Sequence, residues 1–209
     1  MHALWVYATS AEVATISWGA AEHRELGVGK TSAAYELGAV LAAERFDLVV
    51  ALGVCGLHRA ATTKLAVGSV AIVLSDRFAD EGVQTSAGFL ELDALGLGAT
   101  GAMPADATWL EEAAGLVAAP LLAGATVSTC SGTDALAAER WRRTRAPLET
   151  MEGAAIAFVC KKMGVPWIGV RAISNFTGER STAGWDLKLA VTRLGEAVAP
   201  LIEHWSFDA

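Results

Sequence analysis

The chain has 209 residues, 53% of them hydrophobic and 19% charged. That is enough apolar material for a sizeable core and excludes a disordered chain. A formal charge of −7, from 16 basic and 23 acidic residues, argues against a nucleic-acid backbone as partner.

The first apolar run, Leu4 to Ala8, predicts a buried strand. Thr9 or Ser10 can then cap a short helix running toward Trp18, with Glu12 in its first turn. A Glu there suits the helix dipole, and it also stands where a strand delivers side chains to a ligand edge. His23 to Leu26 reads as a second strand, and Gly27-Val28-Gly29-Lys30 as a turn into a helix over Thr31 to Arg45. That turn is no phosphate loop. Arg24 and Ser32 stand where the two common nucleotide-binding patterns need glycine. Its expected role is tight strand-to-helix packing.

Asp47 to Gly53 is the clearest strand and ends in Gly53-Val54-Cys55-Gly56, whose backbone N–H groups can line a site. The longest apolar run, Leu48 to Leu57, is far below the roughly 18 residues of a membrane span. Gly68 to Ser75 predicts a buried strand, Ser75 to Val83 a polar connection, and Phe89 to Gly101 a loop with a short strand. Asp106 to Ala118 reads as a helix capped by Asp106, Leu121 to Thr129 as a strand. The next helix carries Arg140, Arg142, Arg143 and Arg145, expected on a solvated face. Leu148 to Thr150 is a short strand, and Trp185 to His204 the closing helix.

The stretch between them, Thr150 to Trp185, organises the rest. Glu152 opens an amphipathic helix that Gly164 and Pro166 stop. Trp167 to Ile173 is an apolar strand ending in Ser174-Asn175. Ligands of open α/β sheets bind at that edge, so a carboxylate and a carboxamide are offered from neighbouring elements. Strand–helix alternation without repeats or linkers predicts one domain over 1–209, a three-layer α/β unit with a mixed central sheet flanked by helices.

Cysteine and histidine use is sparse. Cys55, Cys130 and Cys160 form no paired spacing, which fits a reducing cytoplasm. Cys130 and Cys160 are expected as buried thiols, and Cys55, flanked by apolar residues, as inert. No basic, apolar leader is visible. His2, His23, His58 and His204 are scattered and form no ligand motif, so neither a metal site nor a cofactor is expected.

Met151-Glu152-Gly153-Ala154-Ala155 and Arg171-Ala172-Ile173-Ser174-Asn175 together resemble the signature of the nucleoside phosphorylase/nucleosidase superfamily. The longer string from Arg171 through Arg180, followed by Trp185-Asp186-Leu187-Lys188, is similar to the futalosine hydrolases within it. The resemblance covers Glu12 to about Ala190 and implies a purine nucleoside substrate, a homo-oligomer and a nucleoside phosphorylase-like fold. It implies Glu12 as the base that activates water, Glu152 as acceptor for the ribose hydroxyls, and Met151 packed on the sugar. Asn175, supported by Ser174, would read the purine edge, and the Gly53, Val54 and Cys55 turn would lie beside the ribose. Phe78 or Asp80 would approach the site.

The implied reaction releases hypoxanthine from futalosine, a step of an alternative menaquinone pathway. The alternative within the superfamily is a methylthioadenosine/S-adenosylhomocysteine nucleosidase, which carries Ser-Asp where this chain has Ser174-Asn175. A phosphorylase would need a cationic phosphate site, and Arg24 is the one arginine near the first strands, with nothing evident to pair with it. A non-catalytic nucleoside-binding protein on the same fold fits poorly with two carboxylates and a carboxamide in these positions.

Overall fold

The computed structural model describes residues 1–61, 64–98, 100–180 and 184–206; Ser181–Ala183, part of the signature stretch, lie outside the described residues. The apolar runs become the strands of one mixed sheet. Strand β1 (Ala3–Tyr7) is buried along its whole length and pairs in parallel with β2 (Glu22–Glu25) and with β3 (Leu48–Leu57). The strand read as ending at Gly53 runs on to Leu57: Gly53, Val54, Cys55 and Gly56 are not a turn but part of β3, because they keep pairing with the strand Trp167–Phe176.

On its other side β3 lies parallel to β10 (Trp167–Phe176). Strand β10 then pairs antiparallel with β4 (Val70–Phe78), and β4 pairs in parallel with β8 (Leu121–Thr126). Strand β8 pairs with β9 (Leu148–Thr150), which returns antiparallel to the far end of β3. These five strands therefore close on themselves, with β1 and β2 as an extension and the short β7 (Met103–Pro104) beside β4. Closure leaves few free edges and gathers the carboxyl ends of β1, β3 and β10 at one rim.

Helices cover the sheet in two groups. Helix α1 (Lys30–Ala43) packs on α4 (Gly153–Met163), which lies against β4 and β8. Helix α5 (Leu187–Ser206) packs on β10 and β3, with α2 (Ala107–Leu116) beside it. The apolar stripe of α4 is buried from Gly153 to Ala157 and again at Val159 and Cys160, and Gly164 ends the helix in a left-handed turn. The Asp106 carboxylate caps α2, accepting from Thr108 N at 3.0 Å and Trp109 N at 3.2 Å, as its sequence position predicts. No helix among the described residues is long and apolar enough to cross a membrane.

Three further expectations need correcting. The polar connection over Ser75 to Val83 is not one. Strand β4 runs on to Phe78, because Asp76 and Phe78 point inward and are buried, and a hairpin of β5 (Gly82–Thr85) and β6 (Gly88–Glu91) follows. Helix α3 (Asp134–Thr144) does not turn all four arginines to solvent. Arg140 is buried against Glu149, and Arg143 binds Glu91, Glu139 and the Ala79 carbonyl, while Arg142 and Arg145 are exposed. Cys130 is exposed, because it sits in the open turn between β8 and α3; Cys55 and Cys160 are buried.

Candidate active site

Glu12 stands in a single turn of 3-10 helix (Ser10–Val13) directly after β1. Neither Thr9 nor Ser10 caps that turn through its side chain; Ser10 N instead donates to Glu25 Oε2 at 2.9 Å. The Glu12 carboxylate turns inward over Gly53 and Val54 in the middle of β3. Its Oε1 lies 3.5 Å from Val54 N, and its Oε2 is buried without a hydrogen-bond partner. Burial raises its proton affinity above the usual carboxylate range and Glu152 adds to the rise, while Arg171 opposes both. A carboxylate held this way is a stronger base than a solvated one and has one oxygen free for a ligand.

Arg171 is the residue that sequence reasoning left without a role. It stands opposite Gly53 across the β10–β3 pairing and is buried. A Cβ on Gly53 would lie 2.6 Å from Arg171 Nη1 and 3.2 Å from Glu12 Oε2, and Gly53 has a φ of +150°. Only glycine leaves this space, so Gly53 is what lets carboxylate and guanidinium approach. Arg24, the arginine near the first strands that the sequence left without an evident partner, pairs with Glu22, and the cation that acts on Glu12 is Arg171. The available signal was an arginine in the middle of an otherwise apolar strand, which is rare without a buried partner.

Glu152 stands at the N-cap of α4, but its side chain does not cap that helix. Its Oε1 accepts from Gly29 N at 2.7 Å. The glycine turn before α1 therefore does more than pack. Gly29, at φ +91°, presents its N–H to Glu152. Lys30 next to it binds Asp80 at 2.7 Å and Glu81 at 3.0 Å. Asp80 also accepts from Ser128 N at 2.6 Å, which ties the β4 end to the turn after β8. Asp80 thus braces this side, Phe78 is buried on the same strand end, and Met151, half-buried, precedes Glu152.

Behind Glu152 lies a polar network on the opposite side of the sheet's rim. Thr126 donates to Asp76 Oδ1 at 2.8 Å, accepts from Ala154 N at 2.7 Å, and meets Thr150 Oγ1 at 2.9 Å. Thr126 thereby satisfies a free amide in the first turn of α4 and fixes where Glu152 begins. Burial pushes the Asp76 carboxyl up to about 6.

At the end of β10 a register shift between Ile173 and Asn175 re-aims the chain at Ser174. Ser174 Oγ donates to Asn175 Oδ1 at 2.8 Å, and Asn175 Nδ2 donates to the Phe176 carbonyl at 3.0 Å. The carboxamide is thus held in one orientation with one N–H and one lone pair to spare. It lines a hollow of about 70 Å³ with Gly56, Ser131, Glu149 and Trp185. Larger hollows exist, one of about 410 Å³ beside Thr15 to Ala20, but it gathers no such set of polar groups. Cys55 contributes no nucleophile, since burial raises its thiol to about 12.

The structure therefore brings Glu12, Gly53 and Val54 together with Arg171, and places Glu152 close enough to Glu12 to raise its proton affinity. Asn175 and Ser174 occupy the adjoining end of β10, and Cys55 stays in the core. A single histidine–carboxylate group, His2, Glu22 and Glu44, brings ligand atoms within 4.8 Å among the described residues. It lies at the amino ends of β1 and β2, the opposite rim from this site.

The chain as a whole is similar to known proteins. The family model of the phosphorylase superfamily matches residues 13–203. The futalosine hydrolase of Acidothermus cellulolyticus is 35% identical over 188 residues, 87% of this chain and 75% of that protein. That of Thermus thermophilus is 32% identical over 181 residues, 85% and 79% of the two chains. Among solved structures, a futalosine hydrolase mutant of Helicobacter pylori superimposes with a TM-score of 0.80 at 17% identity, covering 98% of this chain and 100% of that one. A methylthioadenosine/S-adenosylhomocysteine nucleosidase of Colwellia psychrerythraea in complex with adenine gives 0.79 at 20% identity, covering 96% and 94%. These two structural likenesses speak for the fold, and the two sequence relatives narrow the family. The chain belongs to the phosphorylase superfamily and, within it, to the futalosine hydrolases.

Proposed function

We propose that this chain hydrolyses the N-glycosidic bond of futalosine, releasing hypoxanthine and leaving dehypoxanthine futalosine, with Glu12 as general base. The observation that carries the roles is the pairing of a desolvated Glu12 with Glu152 and Arg171 at one rim. Water attacks the anomeric carbon as the bond to the purine breaks. Its proton goes to Glu12, and the bonding electron pair leaves with the base, which takes a proton from solvent at N7. The sugar passes through an oxocarbenium-like state, which the two carboxylates stabilise.

Glu152 accepts from the ribose hydroxyls, with Met151 against the sugar and the Gly53–Val54 backbone beside it. Arg171 acts on Glu12 through its charge alone, favouring the ionised form without a direct hydrogen bond. Asn175, braced by Ser174, accepts from N7–H and donates to O6 of the leaving hypoxanthine. Phosphate is a poor alternative nucleophile here, because the buried Glu12 occupies the ground beside Arg171 and would repel it. The reading takes residues 1–209 as one cytoplasmic nucleosidase domain. It includes a homo-oligomer, which would cover Tyr35 and Leu97, each 72% exposed; a monomer by light scattering removes that part.

The test offers futalosine, inosine and methylthioadenosine with and without phosphate, and identifies the base and sugar released. Hypoxanthine and a free sugar, unaffected by phosphate, are expected. A ribose 1-phosphate product overturns hydrolysis, and preferential adenine release transfers the chain to the methylthioadenosine nucleosidases.

A further inference from the structure

Three neighbouring strands place Glu149, Gly56 and Asn175 in one row. Glu149 on β9 stands opposite Gly56 on β3, and Gly56 stands opposite Asn175 on β10. Directly paired residues project to the same face, and two strand spacings separate the outer pair by roughly 10 Å. A side chain at position 56 would fill the gap between them. Its Cβ would already lie 2.9 Å from Thr177 Cγ2 and 3.4 Å from Asn175 Nδ2. Glu149 and Asn175 thus flank a slot floored by glycine, and both line the same hollow.

We propose that Glu149 is a second base-reading residue, accepting the N1–H of a 6-oxopurine whose N7 and O6 meet Asn175. The proposal rests on the hydrolase reading above. On a 6-oxopurine, N1–H lies on the far side of O6 from N7, so two readers on either side of a gap suit that edge. Glu149 is held for the task. Its Oε1 accepts from Ser131 N at 2.7 Å; its Oε2 accepts from Ser131 Oγ at 2.5 Å and from Arg140 Nη1 at 3.3 Å. A carboxylate offers about four lone-pair directions, so one remains for a ligand.

Arg140 also donates to Ser131 Oγ at 2.9 Å, which locks the pair to the turn beside the slot. His58 lies behind, its Nε2 at 4.0 Å from Glu149 Oε2 and its Nδ1 at 3.0 Å from Thr177 Oγ1. Burial pushes the His58 ring toward its neutral form, so Arg140 is the cation that balances Glu149. An acceptor there meets the N1–H of hypoxanthine but faces the N1 lone pair of a 6-aminopurine, so it favours the former and repels the latter.

The test compares kcat/KM for futalosine and its 6-amino analogue in the unaltered protein and in Glu149→Gln. The amide can donate as well as accept. Efficiency on futalosine should fall about 10- to 100-fold, the cost of losing a hydrogen bond to a charged group. The 6-amino analogue should change by less than about threefold, so the preference narrows by an order of magnitude or more. Equal losses on both substrates would reduce Glu149 to a brace for Ser131 and overturn the proposal while leaving the hydrolase reading intact. Failure of the unaltered protein to release base from futalosine would strike the hydrolase reading itself. A second measurement covers a variant that does not fold. The unaltered protein should bind 1-methylhypoxanthine at least about tenfold more weakly than 2-methylhypoxanthine, since only the first lacks the N1 donor. Equal binding of the two overturns the proposal as well.

Discussion

Asp76 is a carboxyl in the core behind the site, and its cost can be worked out. Its Oδ1 accepts from Thr126 Oγ1 and from Arg77 N, each at 2.8 Å, whereas its Oδ2 is buried with no partner. Burial raises its pKa from 3.8 to about 6, against the opposing pull of Thr126 and Arg171. The folded state therefore holds the proton more tightly than the unfolded chain does. Below pH 3.8 both states are protonated and Asp76 costs nothing. As pH rises, the unfolded chain ionises first and the fold loses stability until both states are ionised above about 6. From those two pKa values the cost of Asp76 to the fold is about 1 kcal/mol at pH 4.5, between them, and about 3 kcal/mol at pH 7.5, above both. Replacing Asp76 by Asn removes the ionisation and keeps an acceptor for Thr126. The variant's stability relative to the parent should thus be about 2 kcal/mol better at pH 7.5 than at pH 4.5. Urea denaturation of both proteins at the two pH values measures this difference directly, and any fixed cost of the new amide cancels from it. The same relative stability at both pH values would mean that Asp76 is not a strained carboxyl, and the argument from burial would fail.

Other changes test the site. Glu12→Gln keeps the shape but removes the base, so turnover should fall about 10²- to 10⁴-fold with little change in substrate binding; near-normal turnover rejects the role. Because burial raises the Glu12 pKa, activity should climb with pH through a limb lying above the ordinary carboxylate range and then level off. That limb should be absent from the residual rate of Glu12→Gln, and a parent rate that is flat from pH 4 upward would contradict it. Gly53→Ala places a methyl 2.6 Å from Arg171 Nη1 and 3.2 Å from Glu12 Oε2, and displacing Glu12 by about 1 Å should cost on the order of 10² in kcat/KM. Wild-type rates with an unchanged melting temperature would show the approach to be unimportant. Asn175→Asp should shift selectivity toward adenine-bearing nucleosides, since a protonated carboxyl can donate to N7 and accept from a 6-amino group; an unchanged ratio of efficiencies on futalosine and its 6-amino analogue would remove Asn175 from base reading.

Local signals carried much of this fold. Apolar runs marked β1, β3 and β10, and Gly164 after the stripe of α4 marked that helix's end, because burial and backbone conformation act over a few residues. Asp106 was legible as a cap for the same reason. Glu12, Glu152, Ser174 and Asn175 were reachable because each stands just after a strand, at a helix start or in the last residues of a strand, and the resemblance to a family gave those places meaning. What escaped depends on register. Arg140 looked like one of four surface arginines until β9 set Glu149 beside it. Polar Asp76 suggested a loop, although it faces Gly124 and Gly153, which leave it room inside the sheet. Gly29 seemed a packing residue because its partner, Glu152, is 123 positions away.

The charges at the rim form one arrangement. Glu12 and Glu152 repel one another, and the repulsion is visible in the raised proton affinity of Glu12. Arg171 offsets part of it, and the N–H groups of Val54 and Gly29 offset more. None of these cancels the cost of burying Glu12, which remains the largest influence on it. The site in its resting state is therefore short of positive charge between the two carboxylates. On the proposed reading, a neutral ribose supplies hydroxyl donors to Glu152 but no cation. The sugar becomes cationic only as the bond to the purine stretches, and at that moment both carboxylates gain a partner. Interactions that strengthen only then lower the barrier without tightening substrate binding. Removing Glu12 should accordingly be felt in kcat more than in KM, whereas removing Glu152, which also binds the neutral ribose, should be felt in both.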